Sequence, residues 1–121
     1  MTATTNLLAF DLGAESGRAV LGAYDGERLA LTELHRFGNG PVRILDSLHW
    51  DVLRLFAEMK VGLGKAASQG LSSIGVDTWG VDWALLDTSG GLVGTPYHYR
   101  DSRTDGVMEQ VFAKVPRAEV F

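Results

Sequence analysis

Two acidic residues, Asp11 and Asp77, each stand just after a short apolar run, "LLAF" before the first and "SIGV" before the second. Runs of that length read as buried strands, so both carboxylates sit at strand ends. If the two strands are adjacent and parallel, both acids open into one crevice, at the carboxyl ends where α/β sheets hold ligands. A carboxylate pair there could hold a divalent cation, directly or through water, as Mg²⁺ prefers. A strand-end acid can equally cap a turn and face water. The sequence leaves both uses open.

A tight Gly-rich connection, "GAESGR" (Gly13–Arg18), follows Asp11. Consecutive backbone N–H groups in such a turn make an anion-binding concavity, Ser16 adds a hydroxyl and Arg18 a charge. The spacing is neither a Walker loop nor a dinucleotide fingerprint, and many Gly-rich hairpins are only hairpins. "DTWGVDW" (Asp77–Trp83) packs two tryptophans, two carboxylates and a glycine into seven residues. Sugars suit that combination, because their C–H faces stack on aromatic rings while their hydroxyls bond to carboxylates; a core strand with buried Trp is the plainer alternative. "YRDSRT" (Tyr99–Thr104) gathers Arg100, Asp101, Ser102 and Arg103, as a hydroxyl-binding loop or as a surface ion-pair network. His35, His49 and His98 show no metal-ligand spacing and read as structural or surface residues. No Ser-His-Asp arrangement is legible.

The elements that must position these residues follow from periodicity. Leu7–Phe10 reads as a central strand and Arg18–Tyr24 as a second, with Asp25-Gly26 as a hairpin signal. Leu29–Phe37 alternates as a third strand, and "GNGP" (Gly38–Pro41) ends it. Trp50–Gln69 changes period: Val52, Leu55, Phe56, Met59, Leu63, Ala66 and Ala67 mark one helical face, with Asp51 at its start and Gly70 as its cap. Gly62 and Gly64 inside it mark close packing or a weak last turn. Ser73–Asp77 is again a buried strand. Trp83–Asp87 and Leu92–Tyr99 predict a second hairpin, and Asp105–Val115 an amphipathic helix. A helical crossover usually returns the chain parallel to an earlier strand. The expected architecture is α/β and ribonuclease H-like: a mixed sheet with a three-strand antiparallel meander, a helix, a parallel strand and an extra hairpin, forming an incomplete N-terminal domain.

Composition narrows the function classes. The 121 residues suffice for one core, and 15 acidic against 11 basic residues give a net charge of -4, which disfavours nucleic acid as a partner. With no cysteine there is no disulfide framework or thiolate site. No run is long enough to span a membrane, and "MTATTN" lacks a secretory signature, so a cytoplasmic location without a membrane partner is expected. "VFAKVPRAEVF" ends without a polar tail, which suggests a fragment.

Taken together, "FDLGAESGR", "HRFGNG", "LHWDV", "SIGVDTWGVDWALLD" and "YRDSRT" resemble, in order and spacing, the N-terminal part of the FGGY carbohydrate kinase family, in its L-rhamnulose-phosphorylating branch. The resemblance runs from about Leu7 to Asp105. It implies phosphoryl transfer from Mg-ATP to the 1-hydroxyl of L-rhamnulose, within rhamnose metabolism. It places Ala14, Glu15, Ser16, Gly17 and Arg18 at the ATP phosphates, and Asp11, with Asp77 as a further candidate, at Mg²⁺. Gly80, Asp82, Arg100 and Asp101 fall to the sugar. Many relatives carry Thr where this chain has Ala14. The family's catalytic base is expected beyond Phe121, as are the rest of its first domain and the second, so residues 1–121 would be inactive alone and prone to self-association through an open sheet. Other readings are phosphorylation of another sugar such as L-fuculose or xylulose, a non-catalytic sugar- or nucleotide-binding module, and a metal-dependent nuclease using Asp11, Asp77 and Glu58.

Overall fold

The computed structural model describes residues 4–120; Met1–Ala3 of the opening segment and Phe121 at the chain end lie outside it. Its frame is a four-stranded sheet in the order β3-β2-β1-β6. Strands β1 (Thr5–Leu12), β2 (Ser16–Tyr24) and β3 (Leu29–Gly38) form an antiparallel meander. Asp25 closes the β2–β3 turn by accepting from the Glu27 and Arg28 N–H groups at 2.9 and 2.7 Å. Helix α1 (Val52–Ala66) then carries the chain across, and β6 (Leu71–Thr78) pairs parallel with β1. These are the meander, crossover and parallel return that the periodicity predicts.

Alternation along β1 decides which face is the core. Leu8, Phe10 and Leu12 are buried and point toward α1, whereas Asp11 lies on the opposite face. The apolar stripe of α1 is Leu55, Met59, Gly62 and Ala66, one turn apart each time. It is narrower than the sequence pattern, because Phe56 and Leu63 are left exposed. Gly62 makes the close approach possible: a Cβ there would stand 2.6 Å from Cβ of Ala19 and 3.0 Å from Phe10. Nothing lies within 4 Å of the corresponding position on Gly64. Asp51 caps the helix by accepting the Arg54 N–H at 3.0 Å, and a 3-10 turn (Ala67–Gln69) ends it on Gly70, whose φ of 62° suits glycine.

Two features depart from the expected pattern. A hairpin forms where none was predicted: β4 (Pro41–Ile44) pairs with β5 (Ser47–Trp50). Its turn places Leu45 at a φ of 52°, a conformation a leucine side chain disfavours. The hairpin predicted over Trp83–Tyr99 shrinks to one isolated bridge, Leu86 with Leu92, while Tyr97 bridges to His49 of β5 instead. Asp87 gathers the intervening turn instead, accepting from the Ser89 and Gly91 N–H groups, each at 2.8 Å. The predicted last helix is present but short, α2 (Val107–Phe112), followed by α3 (Arg117–Val120).

Helix α1 packs on β3, β2 and β1 and covers little of β6 beyond Leu71. On its side of the sheet Ile74 and Val76, level with Leu8 and Phe10, are 51% and 55% exposed.

Candidate functional site

The register of the sheet assembles the first half of the site. Asp77 pairs with Asp11, Asp11 with Arg18, and Arg18 with Arg36, so two acids and two bases form one row across all four strands. Paired positions share a face, which here is the face away from α1. Both Nε (3.1 Å) and Nη2 of Arg18 donate to Oδ2 of Asp11, which leaves Oδ1 without a partner among the described residues. Arg36 is held by Glu33, at 3.0 and 2.6 Å. Asp77 is exposed and has no cation beside it among the described residues. Two neighbouring carboxylates, one with a spare oxygen, fit a hard cation that takes few protein ligands and fills its shell with water and phosphate oxygens.

The turn from Gly13 to Ser16 is rigidly built. The Gly13 N–H bonds the Ser16 carbonyl at 2.9 Å. Asn39, just past β3, reaches back: its side-chain amide donates to the Gly13 carbonyl at 2.7 Å and its own N–H to the Glu15 carbonyl at 2.9 Å. The Phe37 ring lies directly over Gly17, where no Cβ would fit. The Gly13, Glu15 and Ser16 carbonyls are thus engaged, while the Ala14 and Glu15 N–H groups bond nothing among the described residues. That is the polarity an anion cradle requires. The Glu15 side chain is exposed.

The second half is aromatic. Trp50, at the end of β5, is 1% exposed, and its indole N–H donates to Oδ2 of Asp82. Trp79 stacks on Trp50 with centroids 4.0 Å apart, and His98 lies against the same indole at 4.0 Å. Gly80 is exposed, with open space where a side chain would begin. Arg100 is exposed over the Tyr99 ring, 5.2 Å from its centroid.

Asp101 has a different setting from the others. It is 5% exposed, and its two oxygens accept from the Leu48 N–H (2.6 Å) and the Arg103 N–H (2.9 Å). These bonds to its charged form, that from Leu48 foremost, hold its pKa below the ordinary 3.8. It ties the Tyr99–Thr104 loop to β5, which positions Arg100.

His98 is 1% exposed, and Nδ1 accepts the Arg100 N–H at 3.0 Å, so the neutral ring carries its proton on Nε2. That Nε2 has no partner among the described residues. Leaving a buried donor unbonded costs about 1–3 kcal/mol. Burial pushes the His98 pKa below 6.5, against the opposite pull of Asp82.

The sequence missed Trp50, Asn39 and His98 as site-building residues. Asn39 sat in a segment that reads as turn chemistry only, and Trp50 at what looks like a helix start. The nuclease reading fails on geometry: Glu58 binds His35 at 2.6 Å where α1 meets β3, on the opposite face from Asp11. No group of three metal-ligating side chains forms among the described residues. Two clefts, of about 530 and 450 Å³, flank the β4–β5 hairpin, the second lined by His49, Trp83, Tyr97 and Arg103. Neither includes the acid pair or Asp82. No helix among the described residues is long and apolar enough to cross a membrane.

No protein-family model matches the chain. Among curated proteins it is 45% identical over 118 residues to a rhamnulokinase from Enterobacter sp. (strain 638), covering 94% of this chain and 24% of that protein. It is 46% identical over 120 residues to one from Mannheimia succiniciproducens, covering 96% and 25%. The chain therefore spans about a quarter of the length of these relatives. Among solved structures it resembles a carbohydrate kinase from Novosphingobium aromaticivorans (TM-score 0.71, 22% identity, 88% of this chain and 22% of that one). It also resembles a xylulose kinase from Rhodospirillum rubrum (TM-score 0.71, 16% identity, 94% and 25%). The chain shares the ribonuclease H-like α/β fold of the matched part of these two kinases. By sequence, over nearly its whole length, the chain is similar to one portion of these rhamnulokinases.

Proposed function

We propose that these 121 residues are the opening part of the first domain of an ATP-dependent sugar kinase, which phosphorylates L-rhamnulose at its 1-hydroxyl in the cytoplasm, within rhamnose metabolism. The observation that carries the proposal is the acid pair Asp11–Asp77 beside a turn whose Ala14 and Glu15 N–H groups bond nothing among the described residues. The likeness to rhamnulokinases over nearly the whole chain supports it.

In this reading Ala14, Glu15, Ser16, Gly17 and Arg18 receive the ATP phosphates. Their backbone amides supply fixed dipoles, and Arg18 supplies charge. Asp11, with Asp77, holds Mg²⁺. When bound, that ion neutralises charge on the phosphates, which is most of what phosphoryl transfer asks of its surroundings besides positioning. Gly80 lets a sugar approach the backbone, Asp82 accepts from its hydroxyls, Arg100 donates to it, and Asp101 shapes that wall. The base that deprotonates the acceptor hydroxyl lies outside these residues, so the chain alone transfers no phosphate. The uncovered flank of β6 at Ile74 and Val76 supports self-association of the chain in isolation. Sedimentation should show dimers or larger species that Val76→Lys reduces.

Amide resonances test the assignment. Mg-ATP should shift Ala14–Arg18, and L-rhamnulose should shift Gly80 and Asp82. Shifts confined to the clefts beside β4 and β5 would overturn it; phosphorylation of L-rhamnulose by the chain on its own would overturn only the placement of the base outside these residues.

A further inference from the structure

His98 is a buried titratable group that phosphate and metal binding do not use. Its Nδ1 is committed to the Arg100 N–H, so its one remaining polar function is an Nε2–H donor without an acceptor among the described residues. The charged groups that act on it are Asp82 and Arg100, and its ring is enclosed by Trp50 and Tyr99, at 4.0 and 4.5 Å. The same Trp50 indole that packs against His98 holds the Asp82 carboxylate, so donor and acceptor stand around one ring. An imidazole N–H beside a carboxylate is the complement of a hydroxyl group, which accepts one hydrogen bond and donates another. Residues 79–85, which carry Asp82, have no regular secondary structure, so this segment can shift around a ligand without disturbing the sheet.

We propose that His98 is a specificity-determining residue of the sugar side, donating from Nε2–H to a ligand hydroxyl whose own proton bonds the Asp82 carboxylate. The inference rests on the function proposed above and sharpens it: the ligand must present a hydroxyl at this point, and an analogue lacking it leaves the donor unbonded.

Side-chain ¹⁵N–¹H spectra of the chain test it. The His98 ring should show the Nε2–H tautomer, and L-rhamnulose should shift that resonance together with the Gly80 and Asp82 amides. Inorganic pyrophosphate should shift Ala14–Gly17 and leave His98 unmoved. His98→Gln keeps a donor near Nε2 and should retain L-rhamnulose binding within about threefold. His98→Asn keeps an acceptor for Arg100, but its shorter amide places no donor at the position of Nε2, and it should weaken binding about tenfold. If Gly80 and Asp82 shift while the Nε2–H does not, the role of His98 is overturned and the kinase reading stands. If L-rhamnulose shifts none of them, the sugar side fails and the inference with it. A pyrophosphate shift at His98 also overturns it. Should His98→Asn not fold, the wild-type spectra and His98→Gln decide.

Discussion

Asp11 and Asp77 stand directly opposite each other in the parallel pairing of β1 and β6, although a whole helix separates them along the chain. Like charges at paired positions repel, by roughly 0.2–1 kcal/mol across a sheet. Arg18 offsets one of them, and Asp77 has no such partner among the described residues. Without a counter-charge the pair is mildly unfavourable, and in the proposed reading a cation completes it.

Asp77→Asn should raise the melting temperature in divalent-free buffer, by about 1–4 °C, and should remove any further rise caused by Mg²⁺. Calorimetry with and without the ion measures both. A lower melting temperature for the variant would show that Asp77 is a stabilising residue and not a strained one.

The two glycines of α1 should respond oppositely to alanine. Gly62→Ala drives a methyl group into Ala19 and Phe10, and overpacking costs about 1–3 kcal/mol, more than the roughly 1 kcal/mol gained in helix propensity. Gly64→Ala meets nothing within 4 Å and should stabilise by about 0.5–1 kcal/mol. Urea titration of the two variants gives the comparison.

Leu45 is 90% exposed and sits at positive φ, so it contributes little packing and some strain. Leu45→Gly or Leu45→Asn should stabilise the chain by about 1 kcal/mol, read as a higher urea midpoint.

Asn39→Ala removes the side-chain bond to the Gly13 carbonyl but keeps the backbone bond to Glu15. The expected loss is about 1 kcal/mol of stability, with a selective weakening of Mg-ATP shifts at Ala14–Gly17 and none at Gly80 or Asp82. Equal weakening at both places would mean that Asn39 supports the fold at large.

Acid should act through His98. Its pKa is lowered by folding, so between that value and 6.5 the unfolded chain binds more protons than the folded one. Stability from this residue is intact above pH 6.5 and declines as the pH falls below it. Melting temperatures from pH 8 to 5 should fall less steeply for His98→Gln than for the unaltered chain.

The strands and the crossover were legible in the sequence because their pattern is set by burial against one helix: Leu8, Phe10 and Leu12 alternate, and the α1 stripe repeats every turn. The hairpin of β4 and β5 was not, since its turn carries Leu45 and Asp46 where the favoured residues are Asn and Gly. The segment from Trp83 to Tyr99 has strand-like composition, yet its backbone is organised by Asp87 and by single bridges. On the site, the strand-end acids could be paired by topology alone. Asn39, Trp50 and His98 are placed by contacts with residues far away in the sequence, which no local spacing encodes.

The turn after β1 is held at its own neck by Gly13 and Ser16, from behind by Asn39, and from above by the Phe37 ring. Such a turn is an anvil and not a lid. In the proposed kinase reading it does not fold over a nucleotide, and any motion that shuts water out of the reaction would have to come from elsewhere.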